Sequence, residues 1–211
     1  DLHSFPTRRS SDLHIVPGAL FAHLDRDLSG PVTPQSGRHP LPTFESLART
    51  ASAWGIDSGV QVIACDQGPG AYAARLWWLM RWAGHERVAV LNGGLAAWRA
   101  AGLPLTAEVR ARAPRVFVPQ PALERALTTA EVESELARGD IRLVDARGAD
   151  RFAGQNETID PVAGHVPGAV NHPFATNLDA AGRFLRPAQL AQRWRATAYM
   201  EIGRASCRER V

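Results

Sequence analysis

The sequence predicts an α/β protein built from two tandem domains, each a parallel sheet flanked by helices. Short apolar segments typical of buried strands alternate with segments of helical periodicity. The turn Val16-Pro17-Gly18-Ala19 recurs in the second half as Val166-Pro167-Gly168-Ala169. Between the two copies, residues 108–127 carry repeated prolines and no clean period, which is typical of a linker. We therefore predict a duplicated domain, with residues 14–107 as the first copy and 128–200 as the second.

The first half has a strand–helix–strand pattern. Thr43 is a candidate N-cap for a helix that ends before Gly55, and residues 60–65 form an apolar run that predicts a buried parallel strand. A helix over 71–82, a strand over 88–91 and a helix over 95–101 follow. The positions expected to face the core share one helical face: Phe44, Leu47, Ala48 and Ala51 in the first helix, and Ala73, Leu76, Trp77 and Met80 in the second.

The second half begins with a helix signal. Thr128 and Glu131 have the spacing of a capping box, and Gly139 closes the helix. The apolar run 141–144 predicts a strand that leads into the polar segment 145–174, and a last helix is expected over about 187–198.

The bulk properties exclude several classes of protein. The net charge of +3 is small and the arginines are scattered, so nothing favours a nucleic-acid partner. No apolar run approaches the roughly 20 residues that span a bilayer, so no membrane partner is expected. The two cysteines make no disulfide framework and no spacing resembles a zinc site, so we expect no metal.

Residues 1–13 and 201–211 are predicted to be adapter-derived artefacts rather than products of the gene. Codons can be chosen for residues 3–13 so that the reverse complement of that DNA, read in frame, encodes residues 201–211. A relationship of this kind is implausible by chance, and the DNA string resembles a sequencing-library adapter. Such segments are excluded from reasoning about the fold, and Cys207 is thereby excluded as a candidate nucleophile.

Several segments, taken in chain order, resemble the rhodanese family, in particular its two-domain thiosulfate and 3-mercaptopyruvate sulfurtransferases. In the second half the matching pieces are Asp145-Ala146-Arg147, Arg151-Phe152 and the box from Gly164 to Ala169. In the first half they are the segments 24–29, 37–42, 74–78 and 90–94. The resemblance implies two rhodanese-like domains that are both truncated here, the first lacking its opening strand and helix.

The resemblance also implies an activity. In this family, a cysteine thiolate takes sulfane sulfur from thiosulfate or 3-mercaptopyruvate as a persulfide and passes it to cyanide or a thiol. The cysteine lies in a loop at a helix N-terminus in the second domain, downstream of the helix that ends near Ala198. We therefore expect the parent protein to be a sulfurtransferase that needs no cofactor, and this chain to lack the nucleophile and to be inactive.

The implied partners are a small anionic sulfur donor and a thiol or cyanide acceptor. A cytoplasmic location is expected, although a targeting peptide lost with the true N-terminus would change this. The sequence leaves the sulfur donor, the oligomeric state and the sequence of the cysteine loop open.

Three positions carry over from the family, and a fourth departs from it. Arg151 matches the arginine that binds the donor's carboxylate or sulfonate, since a guanidinium offers a fixed fork of donors. His39 and Asp25 match the first-domain pair that helps to activate the cysteine across the interdomain cleft, because an Asp-held His can shuttle a proton. Asp66 stands at the position of the catalytic cysteine, which marks the first domain as the silent copy. Its neighbour Cys65 is expected to be buried and inert.

Other interpretations remain open. Arg151 also fits a surface arginine that pairs with Asp150 or Asp160, and His39 and Asp25 also fit the ordinary polarity of a proline-rich loop. Asp160 also occupies the place of a second arginine in some mercaptopyruvate enzymes, which weakens an assignment to that donor. Residues 68–73 fit a loose G-x-G-x-x-A nucleotide-binding motif. Finally, the whole chain could belong to a catalytically inactive rhodanese-like module that only binds or regulates.

Overall fold

The computed structural model describes residues 14–120 and 123–199. Both predicted adapter-derived ends, 1–13 and 201–211, lie outside the described residues. The chain divides into two compact units, with the boundary between Arg125 and Ala126.

The first unit has a parallel strand–helix–strand core. Its elements are α1 Leu24–Asp27, α2 Phe44–Ala53, β1 Val62–Ala64, α3 Ala71–Trp82, β2 Val88–Val90 and α4 Gly94–Ala100. β1 and β2 pair in parallel, with Val62 opposite Val88 and Ala64 opposite Val90. Parallel neighbours need a crossover, which α3 supplies. The α/β pattern predicted for this half is confirmed.

Local capping explains where these helices begin. The Thr43 Oγ1 atom accepts the Ser46 N–H at 3.1 Å, which satisfies one of the donors left unpaired at the start of α2. α3 begins after Gly70, whose φ of 95° lies in the left-handed region that favours glycine. The predicted bounds of α3 are confirmed at both ends.

The core of the first unit lies where α2, α3 and β2 pack together. Its buried apolar residues are Leu28, Leu47, Ala51, Ile56, Leu79, Met80, Ala83, Val88 and Phe117. Leu79 was absent from the predicted face of α3, although it is fully buried. By contrast, Ile63 of β1 is 54% exposed, so the expectation of a fully buried strand over 60–65 is wrong for this position.

Part of the segment predicted as a linker packs on the first unit. The Phe117 side chain is buried in the core, and its N–H donates to the Ser52 Oγ atom of α2 at 3.0 Å. Further along, Arg81 of α3 donates to the Glu124 carboxylate at 2.6 Å. The first unit therefore includes described residues of the predicted linker 108–127, up to its boundary after Arg125.

The second unit has its own pair of parallel strands. Its elements are α5 Thr129–Arg138, β3 Val144–Asp145, α6 Ala149–Phe152, β4 Val170–Asn171, a 3-10 helix Phe174–Asn177 and α7 Pro187–Tyr199. Val144 lies opposite Val170 and Asp145 opposite Asn171. The paired part of β3 is shorter than the predicted 141–144, because its partner β4 has only two residues. It also lies further along the chain than predicted.

The start of α5 has the predicted capping box. The Thr128 Oγ1 atom accepts the Glu131 N–H at 3.3 Å, while the Glu131 carboxylate accepts the Thr128 N–H at 2.7 Å. Gly139 ends the helix with a φ of 73°. Within residues 14–120 and 123–199, no helix combines the length and the apolar character that crossing a bilayer requires.

Candidate functional site

Arg151, the predicted anion-binding residue, lies at the end of α6 and already holds two carboxylates. Its Nε and Nη2 atoms donate to the two oxygens of Glu157, each at 3.0 Å, in a bidentate pair. The Nη2 atom also donates to Oδ2 of Asp160 at 2.8 Å. Pairing with Asp160, one of the two alternatives left open by the sequence, is therefore present. Asp150 instead accepts the backbone N–H of Arg151.

A second arginine extends this arrangement. The Arg147 guanidinium binds the Asp145 carboxylate, with the shortest contact at 2.6 Å, and donates to the Gly164 carbonyl at 2.7 Å. Its Nη1 atom also reaches the Glu157 carboxylate at 3.5 Å. The resulting set of two guanidiniums and three carboxylates is called the Arg151 cluster here: Asp145, Arg147, Arg151, Glu157 and Asp160.

The two carboxylates on Arg151 differ in burial. The Glu157 side chain is only 3% exposed, whereas that of Asp160 is 33% exposed. Glu157 accepts the backbone N–H groups of Asp160 and Ile159, both at 2.9 Å, and these bonds, together with Arg151, lower its pKa to about 2. Glu157 is thus a fixed part of the loop, and Asp160 is the more exposed of the two carboxylates that contact Arg151.

The predicted pair in the first unit is also in contact. The Nδ1 atom of His39 lies 2.9 Å from Oδ1 of Asp25. This nitrogen is shielded from solvent, and the contact lacks the alignment of a hydrogen bond, so it is an ion-pair contact when His39 is protonated. Both side chains remain partly open to solvent. The contact places the imidazole of one segment beside the carboxylate of the other.

Asp66 fills the anion-binding position at the start of α3. Four backbone N–H groups converge on its carboxylate at 3.0–3.1 Å: those of Gly68, Gly70, Tyr72 and Ala73. We call these four donors the Asp66 cradle. Such donors at a helix N-terminus suit an anion, and here the chain supplies the anion itself.

The loop that carries Asp66 is held from its other side by the start of α4. The Leu95 N–H donates to the Asp66 carbonyl at 3.0 Å. A Cβ at Gly94 would lie 2.8 Å from the same carbonyl oxygen, so this position needs glycine. The Asp66 carboxylate already accepts these four N–H groups, so they are not available to a phosphate. This argues against the nucleotide-binding site suggested by the motif at residues 68–73.

Cys65 differs from expectation in its exposure. It was expected to be buried at the end of β1, but it is an exposed free cysteine. Neighbouring atoms nevertheless desolvate the sulfur, and this effect, together with the charge of Asp66, raises the pKa of the Cys65 thiol. The expectation of an unreactive thiol therefore rests on the local desolvation of the sulfur and on the Asp66 charge, although the residue as a whole is exposed.

Sequence reasoning gave no site role to three members of the Arg151 cluster, Asp145, Arg147 and Glu157. Arg147 was quoted only as part of the Asp145 strand end, and Glu157 lies in an irregular loop with no periodic signal. The only hint was the density of charged residues between 145 and 160. No group of three or more His, Cys, Asp or Glu side chains that could hold a metal is found among the described residues.

Comparisons with known proteins agree with this architecture. The family model for a rhodanese-like domain matches residues 6–101. A probable 3-mercaptopyruvate sulfurtransferase of Pseudomonas aeruginosa is 48% identical over 195 residues, which is 92% of this chain and 68% of the relative. A putative thiosulfate sulfurtransferase, SseB of Mycobacterium tuberculosis, is 39% identical over 171 residues, covering 81% of this chain and 60% of the relative.

The fold is similar to that of a solved relative. The crystal structure of SseA from Escherichia coli, a 3-mercaptopyruvate sulfotransferase, matches with a TM-score of 0.75 and 28% identity, over 87% of this chain and 68% of that one. The chain thus spans about two thirds of the length of these relatives. With nearly half of its residues identical to those of one such relative over most of its length, the chain belongs to the rhodanese family.

Proposed function

We propose that the protein to which this chain belongs moves sulfane sulfur from thiosulfate or 3-mercaptopyruvate to cyanide or a thiol. The observation that carries the proposal is the similarity over most of the chain to proteins named as sulfurtransferases of both kinds. The Asp25–His39 contact and the Arg151 cluster support it, because they offer a proton-exchanging group and an anion-binding group.

The proposed reaction has two displacements through a cysteine persulfide. In the first, the thiolate attacks the outer sulfur of the donor and a sulfur–sulfur bond forms. With thiosulfate the old sulfur–sulfur bond breaks and sulfite leaves; with 3-mercaptopyruvate the carbon–sulfur bond breaks and the enolate of pyruvate leaves, then takes up a proton. In the second, the acceptor attacks the outer sulfur and the thiolate is released.

Each candidate residue has a role suited to its chemistry. Arg151 binds the anionic end of the donor after exchanging its contact with Asp160. His39, oriented by Asp25, exchanges the proton that must leave the thiol or reach the enolate. Asp66 occupies the equivalent loop in the first unit and, being a carboxylate, cannot carry sulfur.

We further propose that the sulfur-carrying cysteine lies outside these 211 residues. Cys65 is a poor candidate because its raised pKa leaves little thiolate at neutral pH, and because the neighbouring Asp66 carboxylate repels an anionic donor. Cys207 lies outside the described residues, in a segment predicted to be adapter-derived. On this account, the present chain is inactive by itself.

The test is a thiocyanate-formation assay on the protein expressed from the uninterrupted reading frame, with each donor in turn. We expect turnover with at least one donor, and a raised KM for the donor in Arg151→Gln. Arg138→Gln is the matched control, since Arg138 is in the same unit and pairs with Asp140 at the surface. The absence of turnover with either donor would contradict the proposal, and so would equal effects of the two substitutions.

A catalytically inactive binding module is the second candidate. One observation favours it: the chain's own carboxylates occupy both Arg151 and the Asp66 cradle. The residue at the first position of the second-domain loop discriminates between the two functions. A cysteine there predicts transfer, whereas Asp or Ser predicts a module that only binds or regulates, without turnover.

A further inference from the structure

Arg75, on α3, contacts two chain segments that lie at least 35 residues before it in the sequence. Its Nη2 atom donates to three backbone carbonyls, those of Leu28 at 3.0 Å, His39 at 3.1 Å and Pro40 at 3.2 Å. Its Nε atom also reaches the Leu28 carbonyl at 3.4 Å. One guanidinium therefore holds both segments against the same turn of α3.

These carbonyls belong to the two segments that carry Asp25 and His39. Leu28 is the C-cap of α1, the short helix that contains Asp25. The other two acceptors are the carbonyl of His39 itself and that of its neighbour Pro40. A four-residue helix and a proline-rich loop have little order of their own, so the spacing between their side chains depends on such external contacts.

The two segments also pack closely on each other at one point. The Gly30 N–H donates to the Pro40 carbonyl at 3.0 Å. A Cβ at Gly30 would lie 2.8 Å from the Leu41 carbonyl oxygen, so no larger residue fits at this approach. The Arg75 guanidinium and the Gly30 N–H thus donate to the same Pro40 carbonyl. Hydrogen exchange of the Gly30 amide therefore reports whether the His39 loop stays packed against the segment that follows α1.

The burial of Arg75 indicates that the contacts are stable ones. The guanidinium is half-buried, and this desolvation lowers the pKa of Arg75 from its ordinary value. A charge in such a place is disfavoured unless hydrogen bonds compensate, and the carbonyls provide them. Loss of the guanidinium would remove this donor from all three carbonyls, leaving the Pro40 carbonyl with the Gly30 N–H, and would loosen the loop.

We infer that Arg75 is a positioning residue that sets the distance between the His39 imidazole and the Asp25 carboxylate. The inference rests on the proposed function for its catalytic consequence, since only a sulfurtransferase would register the displacement as lost activity. Its structural part stands without that function, because the contact between the two side chains can be measured directly.

The test compares Arg75→Gln with Arg75→Lys and with Arg81→Gln. Arg81 is the matched control, because it lies on the same helix, is 30% exposed and donates to Glu124 rather than to the His39 loop. Two signals are read by NMR on the 211-residue chain: the nuclear Overhauser contact between the His39 ring and the Asp25 β-protons, and hydrogen exchange of the Gly30 amide. We expect the Arg75→Gln variant to lose this contact and to exchange its Gly30 amide proton at least about tenfold faster. A tenfold change means that the free energy of local opening falls by roughly 1.4 kcal/mol.

Activity of the whole protein gives the second readout. Arg75→Gln should lower kcat about tenfold with little change in KM, because the donor-binding residue is untouched. Its effect should not add to that of His39→Gln, since both changes remove the same oriented imidazole. The ammonium of Arg75→Lys can keep one or two of the carbonyl contacts, so this variant should give intermediate values in every readout. Arg81→Gln should give wild-type values.

The outcomes separate this inference from the proposed function. An unchanged His39–Asp25 contact in Arg75→Gln overturns the inference whatever the activity. If Arg75→Gln unfolds the first unit, the test uses Arg75→Lys instead. Wild-type values of both NMR signals in Arg75→Lys would then overturn the inference. A wild-type protein without sulfur transfer contradicts the proposed function alone, and a lost contact in Arg75→Gln would then still support the positioning role.

Discussion

Asp160 Oδ2 lies 2.8 Å from Arg151 Nη2, so a carboxylate of the chain occupies the group proposed to bind the sulfur donor. The same guanidinium is held by Glu157, which is buried and bound by backbone N–H groups. On the proposed role of Arg151, a donor anion would compete with Asp160 and leave Glu157 in place. This relationship gives the first prediction.

Asp160→Asn should lower the KM for the anionic donor about three- to tenfold, because the amide competes less strongly for Arg151 and the local negative charge falls. We expect kcat to change less than about twofold. The measurement is steady-state kinetics of the whole protein with both donors. Asp140→Asn is the control, since this carboxylate is exposed and pairs with Arg138. An unchanged or raised KM in Asp160→Asn would show that Asp160 does not compete with the donor.

Glu157 should make the second unit sensitive to acid. Its pKa in the folded state is about 2, below the ordinary value of 4.5. Because the folded state binds the proton less readily than the unfolded state, the stabilisation is fully present above about pH 4.5 and is lost as the pH falls towards 2. Denaturant unfolding between pH 6 and pH 2.5 should therefore show a steep loss of stability that Glu157→Gln flattens.

Glu45→Gln is the control for the pH experiment, because Glu45 is an exposed residue of the first unit that pairs with Arg49. Its curve should run parallel to that of the wild type. A Glu157→Gln curve parallel to the wild-type curve would mean that Glu157 titrates normally in the folded state.

The Asp66 cradle predicts a measurable contribution to stability. Asp66→Ala leaves the Gly68, Gly70, Tyr72 and Ala73 N–H groups without their carboxylate, and should lower the free energy of unfolding of the first unit by about 1–2 kcal/mol. Thr43→Ala removes a single capping contact and should have a smaller effect. Urea denaturation measures both. A loss for Asp66→Ala below that of Thr43→Ala would contradict the role given to the cradle.

Cys65 should react slowly with alkylating reagents despite its exposure. Desolvation and the Asp66 charge raise its pKa, so the thiolate fraction at neutral pH is smaller than that of a free cysteine. In a Cys207→Ser background, alkylation by iodoacetamide at pH 7 should be slower than that of glutathione. Asp66→Asn should speed the reaction, since it removes the charge but leaves the desolvation. A rate equal to or above that of glutathione would contradict the raised pKa.

The elements that the sequence predicted well are those with local causes. The capping box of Thr128 and Glu131, the glycine that ends α5 and the period of α3 each depend on residues within a few positions of one another. Such signals can be read without knowing the rest of the fold. The bounds of β3 were predicted less well, because its extent depends on the short partner β4, 26 residues further on (Val144 opposite Val170).

The candidate site follows the same division. Arg151, Asp25, His39 and Asp66 were found through segments that resemble a family, and the structure brings Asp25 and His39 into contact. Glu157 could not be found in that way, because its importance comes from a loop that folds back to two backbone N–H groups and a guanidinium. Likewise, the four donors around Asp66 are backbone atoms, which carry no side-chain signal in a sequence.

The most direct test of the central claim is mass spectrometry of the whole protein after incubation with thiosulfate or 3-mercaptopyruvate. The account predicts that one sulfur atom is added to a cysteine of the second-domain loop, that cyanide removes it with formation of thiocyanate, and that Cys65 stays unmodified. A protein that retains no sulfur from either donor, or one that carries it on Cys65, would contradict the account.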